Sequence, residues 1–82
     1  MSDSQKSVTI YSTPTCHFCH MAKEFFNNNG IEYTDYDVQA DPAKGQEMVQ
    51  LTGQMGVPVI IIEGEEPIVG FNEPMIRSAL GL

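Results

Sequence analysis

The sequence is poor in positive charge and in long apolar runs, and each shortage excludes a class of protein. Its 82 residues include four lysines and arginines against eleven aspartates and glutamates, a formal net charge of -7. Proteins that bind nucleic acids need a basic surface, and an anionic membrane repels an acidic chain, so neither is expected as a partner. The longest apolar run, Val57 to Ile62, is far too short to cross a bilayer.

Cysteine is also scarce, because Cys16 and Cys19 are the only two. Two cysteines are too few for the disulfide framework of a small secreted domain. The polar start from Met1 to Lys6 lacks the apolar segment of a signal peptide. Hydrophobic residues make up 41% of the chain, which is enough for a globular fold. We therefore expect one monomeric domain over residues 1–82, with residues 1–6 as a flexible tail, in the cytoplasm.

The two cysteines lie three positions apart, in the motif Cys16-His17-Phe18-Cys19, between an apolar run and a helical pattern. Residues three apart at the start of a helix share one face, so the two sulfurs can form a disulfide. The first sulfur lies where helix N–H groups are unpaired, which stabilises a thiolate. Cysteines in such places have pKa values of roughly 3.5–7.5 instead of ~8.5. Cys16 is therefore the predicted attacking nucleophile, and Cys19, one turn later, the less exposed resolving thiol.

The rest of the chain predicts alternating strands and helices. Runs of β-branched residues indicate strands, and apolar residues at i, i+1, i+4, i+5 indicate helices. Thr15, Asp41 and Asn72 are predicted N-caps of the three helices, and Gly30 ends the first helix in a left-handed conformation. The predicted order is β-α-β-α-β-β-α, with strands over residues 8–12, 31–38, 59–62 and 67–69 and helices over 17–29, 42–52 and after residue 72.

In this order of elements the chain resembles the glutaredoxins, small members of the thioredoxin fold. The matching residues are the strand, Cys-x-x-Cys and helix unit with Phe18, followed by Thr52-Gly53-Gln54, Val57-Pro58 and Gly70. The resemblance implies an α/β fold, a four-stranded mixed sheet flanked by three helices. It also implies that Pro58 is cis, which is uncommon even before proline, and that the Val57 backbone pairs with a substrate strand.

The activity that this resemblance implies is a dithiol–disulfide oxidoreductase. It would reduce protein disulfides or glutathione mixed disulfides through Cys16 and Cys19, with no tightly bound cofactor and with glutathione as co-substrate. The residues that would contact substrate or glutathione are Thr13, His17, Phe18, Val57, Pro58, Gly70, Phe71 and Asn72.

Two cations that many glutaredoxins carry are missing from this chain. Thr13 stands where a lysine is common, and Met55 stands where a basic residue is frequent. Carboxylates are recognised by Lys, Arg or free N–H groups, so glutathione, which has two, is expected to bind weakly. Gly70-Phe71 followed by Pro74 is similar to the glutaredoxin-like electron donors of ribonucleotide reductase, which thioredoxin reductase recharges. The sequence thus leaves glutathione and thioredoxin reductase as two alternative electron sources.

The polar residues near the motif each have two interpretations. His17 replaces the proline usual in glutaredoxins, and it either favours the Cys16 thiolate or is an ordinary exposed residue. His20 is expected to be a solvated helix residue. Lys23 either adds positive potential near Cys19 or is a surface lysine.

Other chemistries of the same motif are weaker hypotheses. Cys16 to His20 matches the C-x-x-C-H motif of c-type haem attachment, but the preceding strand and the β-rich second half are unlike small helical cytochromes. Four ligands from one helical turn cannot form a tetrahedral zinc site, so no metal is predicted. An iron–sulfur cluster bridging two chains through their thiolates stays as an alternative.

Overall fold

The computed structural model describes residues 6–82 and has the predicted order of elements. Its strands are β1 (Val8–Ser12), β2 (Thr34–Asp37), β3 (Val59–Ile62) and β4 (Ile68–Val69), and its helices are α1 (His17–Asn28), α2 (Pro42–Thr52) and α3 (Glu73–Leu80). Most of the tail predicted over residues 1–6 lies outside the described residues. Lys6, the one member that is described, forms an ion pair with Glu65 at 2.9 Å and donates to the Ala79 carbonyl at 3.0 Å. The flexible tail stays a prediction.

The four strands form one mixed sheet in the order β2-β1-β3-β4. β1 pairs in parallel with β2 and antiparallel with β3, and β3 pairs antiparallel with β4. This arrangement confirms the predicted four-stranded mixed sheet with three helices. It also places the end of β1 beside the start of β3, since Tyr11 is paired with Val59.

The sheet is covered on both faces, in keeping with the unbroken apolar run of the strand Val59–Ile62. Alternate residues of β1 and β3 point to opposite faces. One face packs against α1 and α3 through a cluster that includes Ile10, Phe26 and Ile76, each of them fully buried. The other face packs against α2 through Met48. Truncating a large core side chain such as Phe26 to alanine typically costs about 3–5 kcal/mol, because a cavity remains.

The second strand is shorter than the predicted 31–38, because α1 extends its hydrogen bonding past its last turn. Gly30 adopts φ +67°, the predicted left-handed conformation, and the Ile31 N–H then donates to the Phe26 carbonyl at 2.9 Å. Ile31 is buried and is bonded to the last turn of α1, so β-pairing begins only at Thr34. The last strand likewise begins one residue late, after Pro67, which has no N–H to donate.

Candidate active site

The predicted cysteine pair lies at the start of α1 and forms a disulfide, with the two Cα atoms 5.2 Å apart. The N-cap of this helix is Cys16, whose Sγ accepts a hydrogen bond from the Cys19 N–H at 3.1 Å. The prediction that Thr15 is the cap was therefore wrong. Cys19 is completely buried while Cys16 is partly exposed, which confirms the predicted order of exposure. Cys16 is thus partly open to solvent, and its sulfur accepts an N–H from the first turn of α1, where a negative charge is stabilised.

The turn that leads into the disulfide is held from two sides. The Thr13 carbonyl accepts from the Cys16 N–H at 3.3 Å. The Nε2 atom of His20 lies 2.8 Å from the Pro14 carbonyl oxygen, so His20 is exposed but bound to this turn. His17 is exposed, and its ring contacts the edge of Phe18 with centroids 5.5 Å apart. An effect of His17 on the Cys16 thiolate stays a prediction.

The loop before β3 lies at the same edge of the sheet as the disulfide, because antiparallel pairing sets the end of β1 beside the start of β3. The Val57–Pro58 bond is cis, as predicted, and Pro58 is buried. The Pro58 carbonyl accepts from the Gly70 N–H at 2.8 Å. Gly70 has φ +86°, a conformation that favours glycine. The predicted residues of these two segments are therefore directly connected.

The residues after Gly70 continue this edge toward α1. Phe71 packs against Phe25 of α1, with ring centroids 6.0 Å apart. Asn72 caps α3, as predicted, by accepting the Met75 N–H at 3.3 Å. The described structure thus brings every predicted contact residue to the edge of the sheet where β1 and β4 end and β3 begins. Their roles in binding remain predictions.

The cations of the chain are all engaged in ion pairs, which the sequence alone did not reveal. All four lysines and arginines belong to the described residues, and each has a carboxylate within 4.0 Å. No cation lies at Thr13 or Met55, the positions discussed above. Met55 is 78% exposed, so this position is open to solvent. The pairs are Lys6–Glu65 at 2.9 Å, Lys23–Asp35 at 2.7 Å, Lys44–Glu47 at 3.4 Å and Arg77–Glu73 at 2.9 Å.

One of these pairs belongs to a three-residue network that the sequence did not predict. The Nζ atom of Lys23 lies 2.7 Å from Oδ2 of Asp35, and Oδ1 of Asp35 accepts from the Ser12 hydroxyl at 2.6 Å. Ser12 is 1% exposed and is the last residue of β1. The only sequence signal was the position of Lys23 one turn after Cys19. The network joins α1 to β2 and β1, and its lysine follows the buried Cys19 by four positions on α1.

A second network occupies the opposite face of the sheet. The Tyr11 hydroxyl donates to Glu47 at 2.7 Å, and Lys44 lies 4.1 Å from the centre of the Tyr36 ring. Burial raises the pKa of Tyr11, and its hydrogen bond to Glu47 raises it further. The same hydrogen bond lowers the pKa of the Glu47 carboxyl. These groups tie α2 to β1 and do not reach the disulfide face.

Neither a metal site nor a membrane span was expected from the sequence. Within residues 6–82, no group of three or more His, Cys, Asp or Glu side chains is arranged to hold a metal ion. None of the helices in that range is long and apolar enough to cross a membrane.

Comparison with known proteins identifies the family of the chain. The family model described as Glutaredoxin matches residues 8–66, from β1 past the Pro58 loop. The chain belongs to the glutaredoxin family. It is 45% identical over 73 residues to a glutaredoxin-like 8.6 kDa protein in the rubredoxin operon of Clostridium pasteurianum, an alignment that covers 89% of this chain and 96% of that protein. It is also 32% identical over 59 residues to glutaredoxin 3 of Escherichia coli, over 72% of this chain and 71% of that one.

Solved structures show the thioredoxin fold of this glutaredoxin. The thioredoxin-like protein BC3987 matches with a TM-score of 0.83 and 27% identity over 90% of this chain and 100% of the other. The NrdH-redoxin of Escherichia coli, a glutaredoxin-like protein described as having a thioredoxin-like activity profile, matches with a TM-score of 0.76 and 29% identity over 88% of this chain and 92% of the other. The family and the cysteine pair at disulfide distance together identify the chain as a dithiol–disulfide oxidoreductase that acts in electron transfer. The α/β fold argues against the c-type haem hypothesis, which requires a helical cytochrome.

Proposed function

We propose that this glutaredoxin reduces protein disulfides and is recharged by a thioredoxin reductase in preference to glutathione. The observation that carries this proposal is that all four cations of the chain are paired with its own carboxylates. Protein disulfides do not need such cations, because a substrate strand can pair with backbone groups. A small anion with two carboxylates binds more tightly where unpaired cations are available to it.

The proposed exchange follows from the placement of the two sulfurs. The Cys16 thiolate attacks one sulfur of the target disulfide, forming a mixed disulfide and releasing the other sulfur as a thiolate. The Cys19 thiolate then attacks Sγ of Cys16, which forms the internal disulfide and releases the second target thiolate. Two electrons pass to the target, and two protons from the solvent complete its thiols. The reductase returns two electrons to the Cys16–Cys19 disulfide.

This protein offers fewer groups to bind glutathione than a glutaredoxin that carries cations at positions 13 and 55. The Val57 backbone and the N-terminus of α3 at Asn72 can still offer N–H groups. The partial charges of these N–H groups bind a carboxylate of glutathione less strongly than the full charge of a lysine or arginine would. Glutathione is therefore a slow co-substrate in this proposal.

Two relatives support the same direction. The NrdH-redoxin of Escherichia coli has a thioredoxin-like activity profile, and this chain aligns with most of it. The relative from Clostridium pasteurianum is encoded in a rubredoxin operon, which is consistent with a role in electron transfer. We propose further that residues 1–82 act as a single monomeric domain in the cytoplasm, without a tightly bound cofactor.

A coupled NADPH assay tests the choice of reductant. The reduced protein is given a protein disulfide such as insulin, with either thioredoxin reductase alone or glutathione plus glutathione reductase. We expect faster NADPH oxidation in the thioredoxin reductase arm, and none above background with the Cys16→Ser control. Rapid turnover with glutathione at a low KM, together with no turnover by thioredoxin reductase, would overturn the proposal.

A further inference from the structure

We propose that Lys23, held in place by Asp35 and Ser12, is an electrostatic positioning residue that promotes deprotonation of Cys19 when the mixed disulfide is resolved. This inference rests on the proposed roles of Cys16 and Cys19. It does not depend on which reductant recharges the protein.

The position of Lys23 on α1 brings its charge to the resolving cysteine. Lys23 follows Cys19 by four residues on the same helix, and such residues are neighbours with Cβ atoms about 5–6 Å apart. Helical side chains lean toward the N-terminus of their helix, so the Lys23 side chain lies over the turn that contains Cys19. No acidic residue occupies the first turn of this helix.

The network fixes this charge instead of leaving it free in solvent. Lys23 is 20% exposed and its ammonium is bound to Asp35, which in turn accepts from the buried Ser12 hydroxyl. An ordinary surface lysine spreads over many rotamers, whereas this one is anchored to two strands of the sheet. A charge in a partly desolvated place acts on its neighbours more strongly than one in water.

Cys19 needs such help more than Cys16 does. Its side chain is 0% exposed, and burial disfavours the thiolate form. Cys16 caps α1 and its Sγ accepts the Cys19 N–H, whereas the Cys19 side chain lies inside the helix, three residues after the cap. A thiol that stays protonated cannot attack the mixed disulfide.

The elements packed around Cys19 carry few other titratable groups, and the exposed His17 on α1 is one of them. On α1, His20 is bound to the Pro14 carbonyl, and Glu24 is exposed. On α3, Glu73 and Arg77 pair with each other. The strands and helix that share this core contribute apolar side chains there, including Ile10, Ile60, Ile68 and Ile76. On β2, Asp37 lies on the same face as Asp35 and accepts from the Gln39 and Ala40 N–H groups. Asp35 is the carboxylate bound to Lys23, and its effect on Cys19 has the opposite sign to that of Lys23.

In the step concerned, the Cys19 thiol first loses its proton to solvent. Its thiolate attacks Sγ of Cys16, the Cys16–Cys19 bond forms, and the bond between Cys16 and the target sulfur breaks. The target leaves as a thiolate, so electrons balance without an external oxidant.

A rapid-mixing experiment isolates this step. Reduced protein is mixed with an aromatic disulfide whose thiolate product is coloured, and the pH is varied. The first release reports attack by Cys16, and the second release reports resolution by Cys19. The thiolate absorbance of Cys19 in a Cys16→Ser background, followed against pH, gives its ionisation midpoint directly.

Substitutions of Lys23 and of Asp35 should shift the ionisation midpoint of Cys19 in opposite directions. Lys23→Met should raise the midpoint of the second phase by about one pH unit, which means about tenfold slower resolution below both midpoints. Lys23→Arg should leave the midpoint in place, and Asp35→Asn should lower it. Lys6→Met removes an equal charge just before the start of β1, at the opposite end of that strand from the disulfide. This control variant should have no effect on either phase.

The outcomes separate this inference from the proposed function. A wild-type protein with no second phase would refute the role of Cys19 and this inference with it. A normal wild-type second phase whose midpoint is unmoved by Lys23→Met, or moved in the same direction by Asp35→Asn, would refute only the inference. The network would then be structural. Thermal melting of each variant shows that it is folded, and Lys23→Gln replaces Lys23→Met if the latter is not.

Discussion

Restoring the two missing cations should convert this protein into a better enzyme for glutathione. The perturbation is the double substitution Thr13→Lys/Met55→Arg. Thr13 lies three residues before Cys16, and Met55 lies three residues before Pro58, at the same edge of the sheet. The four existing cations are each paired with a carboxylate elsewhere in the fold, so only new cations would change the charge at these two positions.

The exposure of these positions sets the size of the effect. Met55 is 78% exposed, and Thr13 is only partly buried. Charge pairs at exposed sites contribute about 0.2–1 kcal/mol, and charged hydrogen bonds with less solvent about 1.5–3 kcal/mol. Two contacts near the upper end of the exposed range amount to about 1–2 kcal/mol, which corresponds to a KM for glutathione about five- to thirtyfold lower.

The assay is the reduction of a glutathione mixed disulfide of a small thiol, coupled to glutathione reductase and NADPH. The gain should be larger at about 0.01 M than at about 0.15 M ionic strength, because the Debye length falls from roughly 30 to 8 Å. Thr13→Gln/Met55→Gln is the matched neutral control. If the unmodified protein already has a low KM for glutathione and the double variant gains nothing, the argument from missing cations is wrong.

Three further outcomes are expected from the structure. Cys16→Ser should abolish disulfide reduction and Cys19→Ser should accumulate a mixed disulfide, whereas faster alkylation of Cys19 than of Cys16 at about pH 6 would contradict these roles. The hydrogen bond from the Tyr11 hydroxyl lowers the pKa of the Glu47 carboxyl below its ordinary value of 4.5. The Glu47 carboxylate therefore stabilises the fold at pH values above its unfolded-state pKa. This stabilisation is lost as the pH falls through the folded-state pKa. Acid titrations of the free energy of unfolding should therefore be flatter in Glu47→Gln, and an unchanged slope would contradict the assignment. Gly45→Ala should raise the melting temperature by about 2–8 °C, because it replaces a glycine inside α2 with a residue that favours helices. The new Cβ atom would lie 3.6 and 3.7 Å from atoms of Val38, which are ordinary contact distances. A lower melting temperature would show that this contact is tighter.

Local patterns predicted most of the fold because local chemistry determines them. The Asp41 and Asn72 caps and the left-handed Gly30 each depend on residues a few positions away, and all three are found. Ile31 was misplaced in a strand because its β-branched side chain is typical of strands. Its N–H instead bonds to Phe26, a choice that depends on how α1 ends.

The candidate site was predictable only in part. The cysteine pair has a short-range signature, but the preference of threonine for N-caps pointed to Thr15, one residue before the cap that the structure has at Cys16. The Ser12–Asp35 hydrogen bond spans 23 positions and depends on the parallel register of β1 and β2. Tertiary pairing of this kind leaves no periodic trace in the sequence, so no role was predicted for Asp35.

The contact between Lys6 and Ala79 also determines where the protein can be extended by fusion. The Gly70 N–H bonds to Pro58 at the disulfide edge, and the eight-residue α3 then carries the chain about 12 Å away. The Lys6 side chain meets the end of that helix at 3.0 Å, before β1 leads back over about 17 Å to the disulfide. A fluorescent reporter joined after Leu82 would therefore lie at the opposite end of the molecule from the reactive sulfur. Such a fusion offers a way to follow the redox state of a target protein without blocking access to Cys16.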